Sequence, residues 1–110
     1  MQPISPPRAG FPLTLSILMP VRDEGVNLPV MLKILDAVVE VPHEILVVHD
    51  EPDDDSVPVV TSLRARYPTV RLVQNTVGRG VANAIRAGVA EALGEYVLIF
   101  AADETGPALA

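Results

Sequence analysis

The sequence predicts an α/β fold, a doubly wound and mostly parallel sheet laid down in the order β-α-β-α-β-α-β. Three observations lead there. Short apolar blocks alternate with stretches in which apolar residues recur at helical spacing. The first, second and fourth blocks are apolar through their centres rather than alternating, as strands covered on both faces must be. Each block also runs into a polar turn, and open α/β sheets hold their ligands beyond the carboxyl ends of the strands.

Residues 1–12 contain four prolines, a glycine and no apolar period, so they read as a flexible or extended lead-in to one unit covering 13–110. Leu13–Met19 is a strand stopped by Pro20. Asn27 is an N-cap type and Pro29 suits a first turn. Met31, Leu32, Leu35, Val38 and Val39 then mark a helix over 28–40. His43–His49 is the second strand, closed by an acidic loop. Ser56 is placed to cap a helix carrying Val57, Val60, Leu63 and Tyr67. Residues 69–74 make a third strand, and 75–80 a glycine-containing loop. Residues 81–93 are helical by their small and apolar spacing, with Gly94 as the stop. The fourth strand, 95–100, runs into Ala101-Ala-Asp-Glu104.

Composition narrows the function. A chain of 110 residues, 49% of them apolar, can bury one core and is not a disordered chain. No apolar run approaches the ~20 residues that cross a bilayer. No basic segment followed by an apolar one opens the chain, so no signal peptide is expected and a cytoplasmic location is. With no cysteine, disulfides and thiolate metal sites are excluded. A net charge of −6 argues against nonspecific nucleic-acid binding, which depends on cations meeting phosphates.

The polar clusters at the strand ends are the candidate site. Asp103 and Glu104 follow the last strand, where adjacent carboxylates suit a hard cation such as Mg²⁺ or Mn²⁺ that shares oxygens with a diphosphate. A solvated pair opening a turn before Gly106 and Pro107 explains them as well. Asp50 closes the second strand, where an acid can accept from a ribose hydroxyl or a base N–H. Asp53, Asp54 and Asp55 read mostly as a solvated loop placing negative charge at a helix start. Gly78-Arg79-Gly80 precedes a helix, so its N–H groups and guanidinium can meet phosphate oxygens, although a plain turn has the same composition. It matches neither the dinucleotide fingerprint nor the P-loop. His43 and His49 lie too far apart along one strand to share a metal and read as structural.

Four blocks together resemble the family-2 glycosyltransferases: Ser16-Ile-Leu-Met-Pro-Val-Arg-Asp-Glu24, Glu44-Ile-Leu-Val-Val-His-Asp50, Gly78-Arg-Gly80, and Ala87-Gly88 through Gly94-Glu-Tyr-Val-Leu-Ile-Phe-Ala-Ala-Asp103. Within that family the sequence looks most like the dolichol- or polyprenyl-phosphate sugar transferase branch. The resemblance implies the GT-A fold, a Rossmann-like half that binds a GDP- or UDP-sugar with a divalent cation, and a lipid-phosphate acceptor at the cytoplasmic membrane surface. By position, Pro20, Val21 and Glu24 would line the nucleotide pocket, Asp50 would contact base or ribose, and Arg79 would take the family's lysine position. Asp103, helped by Glu104, would hold the metal.

Three departures stand out against the family pattern. Arg22 and Asp23 replace an aromatic-asparagine pair, His49 replaces the first of two acids, and Ala101 stands where the first aspartate of the Asp-x-Asp motif normally lies. The acceptor region and the catalytic base follow that motif in the family. The 110 residues are therefore expected to bind nucleotide weakly, to transfer no sugar, and to self-associate through an exposed sheet edge. Two rival readings are a non-catalytic or degenerate α/β interaction module and a receiver-like signalling domain. The latter lacks its first-strand acidic pair and its lysine after the last strand.

Overall fold

The computed structural model describes residues 2–3 and 10–100. The elements follow in the order β1 (Gln2–Pro3), β2 (Leu13–Val21), α1 (Leu28–Val38), β3 (His43–His49), α2 (Ser56–Leu63), β4 (Val70–Gln74), α3 (Val81–Glu91) and β5 (Gly94–Ile99). They form one five-stranded sheet in the order β1-β5-β2-β3-β4. All pairings from β5 across to β4 are parallel. The exception is β1, inside the stretch expected as a lead-in: it pairs antiparallel with β5, Gln2 opposite Ile99.

The chain leaves β2 for β3 on one side and later returns to β5 on the other. Strand order therefore reverses between β2 and β5, and a crevice opens at the carboxyl ends of these strands. Because strand residues alternate between faces, β2 feeds two cores. Ile17 and Met19 pack with Leu28, Met31, Leu32 and Leu35 of α1 and with Val60 of α2. Leu18 points the other way, to Leu46, Val48, Val97 and the small Ala84 and Ala87 of α3. Covering both faces accounts for the unbroken apolar blocks. Among the described residues no helix is long and apolar enough to cross a membrane.

Several local expectations change. The helices α1 and α3 are shorter at their C-terminal ends than the periodicity indicates. Val39, although outside the helix, packs against the core, so the apolar period outlasts the helix. Asn27 and Asp55 hold the N-cap positions of α1 and α2 without capping through their side chains, and Ser56 is the first residue of α2 rather than its cap. Gly94 does not end a helix: α3 stops at Glu91, and Gly94 begins β5. A Cβ there would collide with the Leu15 carbonyl carbon and the Ser16 backbone nitrogen, so close approach of two strands is the requirement.

Candidate functional site

The five residues expected around a nucleotide share one cavity. Pro20 and Val21 end β2, Glu24 lies on the turn after it, Asp50 follows β3, and Arg79 precedes α3. All five line a cavity of about 480 Å³ at the switch point. Arg22 and Gly80 join them, and Val81, Ala84 and Ile99 give it an apolar wall. A smaller space of about 180 Å³ shares Val21, Arg22, Asp50 and Arg79 and extends toward Glu51, Asp53 and Asp54. Asp103 and Glu104, the expected metal ligands, lie outside the described residues, as does Ala101.

Asp50 is held from two sides. Its Oδ1 accepts from Asn75 Nδ2 at 2.8 Å, and its Oδ2 from the Gly80 N–H at 3.3 Å. Asn75 is buried, and its backbone N–H donates to the His49 carbonyl at 2.8 Å. Gly80 adopts φ 107°, in the region that favours glycine, which lets its N–H turn back to Asp50 as α3 begins. Arg79 reaches Glu51 at 3.5 Å, a pair whose side chains are 69% and 51% exposed and which therefore constrains the guanidinium little. His49, at the end of β3, donates from Nδ1 to the Glu51 carbonyl, a structural role.

The turn after β2 is stapled to the acidic loop after β3. The Asp23 N–H donates to Asp54 Oδ2 at 3.0 Å, the Asp55 N–H to Asp23 Oδ1 at 3.1 Å, and the Gly25 N–H to Asp55 Oδ1 at 2.9 Å. Asp54 Oδ1 takes the Ser56 N–H, and Ser56 Oγ accepts from the Glu24 N–H. Asp23 has φ 52°, the left-handed region. Aspartate and asparagine are the non-glycine types that enter it most readily, which explains why an aspartate can stand where the family pattern has asparagine. Glu24 Oε2 accepts from Asn27 Nδ2 at 2.7 Å, so Asn27 orients the pocket carboxylate instead of capping α1.

These contacts correct the solvated-loop reading at Asp54, which is only 6% exposed, while Asp53 and Asp55 are exposed as that reading expects. Burial alone would raise its pKa. The N–H donors of Asp23 and Ser56, the Ser56 hydroxyl and nearby His49 outweigh that, and the carboxyl titrates below its ordinary 3.8. Asp23, Asp54 and Asp55 bring carboxylate oxygens within 4.8 Å of one another, close enough for a cation. Both Asp54 oxygens and one each of Asp23 and Asp55 already accept backbone N–H groups, so the trio fits a loop staple better than an ion cage. Sequence reasoning missed this staple. The signal that pointed to it is an aspartate three residues after Pro20, facing an aspartate run one strand away. Pro20 itself does not stop β2 as expected but lies one residue before its end.

With this crevice in view, the comparison with known proteins is decisive. The family model for glycosyl transferase family 2 matches residues 16–107. The chain belongs to glycosyl transferase family 2. Its fold is that of the GT-A members. The mannosyltransferase PcManGT from Pyrobaculum calidifontis, solved with GDP-Man and Mn²⁺, superposes at TM-score 0.66 and 24% identity over 94% of this chain and 31% of that one. Glucosyl-3-phosphoglycerate synthase from Mycobacterium tuberculosis, solved with Mn²⁺, UDP and glucosyl-3-phosphoglycerate, gives 0.63 and 19% over 83% of this chain and 34% of its own. TarS of S. aureus, residues 1–349 with UDP-GlcNAc, gives 0.62 and 21% over 88% and 30%. The family-2 chain thus spans about a third of the length of these structures. Among curated proteins none matches it in sequence.

Proposed function

We propose that this family-2 chain is the donor-binding part of a glycosyltransferase and takes a nucleoside diphosphate sugar, GDP- or UDP-linked, in the switch-point crevice. One observation carries the reading: Pro20, Val21, Glu24, Asp50 and Arg79, from three separate segments, line a single cavity. The cavity lies in the size range of small-molecule sites, and an apolar wall facing a few fixed polar groups suits a nucleoside. Asp50, fixed by Asn75 and Gly80, offers a carboxylate to ribose or base. Arg79 lines the same cavity, and its guanidinium is proposed to meet the diphosphate.

A divalent cation, Mg²⁺ or Mn²⁺, would neutralise the departing diphosphate. Asp103 and Glu104 are its proposed ligands by position in the family pattern. The acceptor is proposed to be a lipid phosphate, on the resemblance to the polyprenyl-phosphate branch. An anionic acceptor needs no base to deprotonate it. The 110 residues are proposed to bind the donor without transferring the sugar. Strand β4, which among the described residues pairs on one side only, is the edge through which self-association is proposed.

Calorimetric titration of GDP and UDP, with and without Mn²⁺, tests the reading. Binding of one nucleotide, strengthened by Mn²⁺ and weakened about tenfold by Asp50→Ala, is the expected result. Binding of neither would favour the interaction-module alternative.

A further inference from the structure

Arg22 has no assigned role, yet it occupies the middle of the crevice. It lies just beyond Val21, the end of the central strand β2, with β3 and Asp50 to one side and β5 and Ile99 to the other. It lines both the larger and the smaller cavity, and among the described residues Arg79 is the only other cation lining either. The two guanidinium groups differ in their partners. Arg79 is paired with Glu51. Arg22 is exposed and has no hydrogen bond or ion pair among the described residues.

The acids around Arg22 do not claim it, because Asp23 and Asp54 are turned into the loop staple. Asp50 is turned toward Asn75 and Gly80. A diphosphate entering beside Glu24 and Asp50 meets carboxylates of its own sign, and the repulsion must be offset by a cation already facing the space. A guanidinium with no ion pair among the described residues has none of those to give up when it turns to phosphate, and its planar fork matches two phosphate oxygens at once.

Resting on the donor-site reading above, we propose that Arg22 binds the diphosphate of the nucleotide sugar, as a contact separate from Arg79 and nearer the centre of the crevice. The nucleoside end stays with Asp50, so Arg22 acts on the anionic half of the ligand alone.

Titrations of GDP, guanosine, UDP and uridine into the unaltered chain, Arg22→Gln, Arg22→Lys and Arg79→Gln, at low and moderate salt with Mg²⁺ fixed, test the assignment. Arg22→Gln is expected to weaken the bound diphosphate roughly tenfold or more, as for a lost hydrogen bond to a charged group. It should leave the nucleoside within about twofold and flatten the salt dependence. The loss should exceed that of Arg79→Gln, and Arg22→Lys should recover part of it. Full diphosphate affinity in Arg22→Gln, or equal losses for nucleoside and diphosphate, would overturn the assignment while leaving the donor site standing. If the unaltered chain binds neither nucleotide, both fall. Thermal unfolding of each variant guards against misfolding, which an exposed side chain gives little reason to expect.

Discussion

Asn75 Nδ2 donates to Asp50 Oδ1 at 2.8 Å and also to the Gly78 carbonyl, so one buried amide ties the end of β3 to the loop that leads into α3. Its Oδ1 accepts from the Val77 N–H at 3.0 Å, so both ends of the amide are engaged. Asn75→Ala should therefore cost about 1–3 kcal/mol, the range for buried groups left without partners. It should also speed hydrogen exchange at the Gly80 amide, whose acceptor Asp50 loses its other anchor. Asn75→Asp should be worse at neutral pH, with a carboxylate set against Asp50 and a carbonyl. Urea midpoints and Gly80 protection equal to those of the unaltered chain would show that the amide does not organise the loop.

Asp54 predicts a pH dependence whose sign follows from its lowered pKa. A carboxyl whose folded pKa lies below the unfolded value stabilises the fold above the unfolded value. That contribution declines as pH falls through 3.8 and is gone below the folded pKa. Asp54→Asn should thus be less stable than the unaltered chain at pH 7, by roughly 1–3 kcal/mol for one lost charged acceptor among paired N–H groups. The gap should close toward pH 3. Denaturant melts of both proteins from pH 7 to pH 3 measure it, and a constant gap would mean that the staple does not depend on the charge.

What the sequence disclosed and what it withheld divide along a physical line. The pattern of apolar blocks and helical periods located β2 to β5 and the three helices, because burial on two faces writes itself into residue type. Asp50, Glu24 and Arg79 were legible as strand-end polar residues, and topology alone brings such ends together. Asp54 was not, because a run of acids looks the same whether its side chains face water or the N–H groups of a distant turn. The pairing of Gln2 with Ile99 was equally hidden, since a two-residue strand carries no period. Gly94 was misassigned because a glycine after a helical stretch marks a helix stop and a close strand crossing alike.

At the opposite end of the sheet from the crevice, Glu44 is buried at 5% exposure and accepts three donors. Ser16 Oγ and the Leu93 N–H reach Oε2 at 2.7 and 2.6 Å, and Arg71 Nε reaches Oε1 at 3.0 Å. This carboxylate fastens β2, β4 and the α3–β5 connection to β3. Glu44→Ala strands these donors and is expected to cost about 3–5 kcal/mol, as when one member of a buried pair is removed. Arg71→Ala should cost less, because Arg71 is 32% exposed and Glu44 keeps its two other donors. Chemical unfolding of the two variants ranks them, and a milder Glu44→Ala would contradict the network.

Gly88 makes the last case, for close packing over the crevice. It lies on the face of α3 that meets the sheet, where an added Cβ would come within 2.9 Å of Leu18 Cδ2, 3.0 Å of Leu18 Cδ1 and 3.3 Å of Val48 Cγ2. Leu18 is fully buried, so it has little room to yield, and α3 must move outward instead. Overpacking of this kind costs about 1–3 kcal/mol, which outweighs the up to ~1 kcal/mol that alanine gains over glycine in a helix. The helix carries Val81 and Ala84 of the cavity wall, so its displacement should reshape the site as well. Gly88→Ala is therefore expected to lower the unfolding midpoint and to weaken nucleotide binding together. Gly88→Ser, slightly larger, should do more of both. A Gly88→Ala protein more stable than the original would show that helix propensity wins and that α3 is not seated as tightly as these distances require.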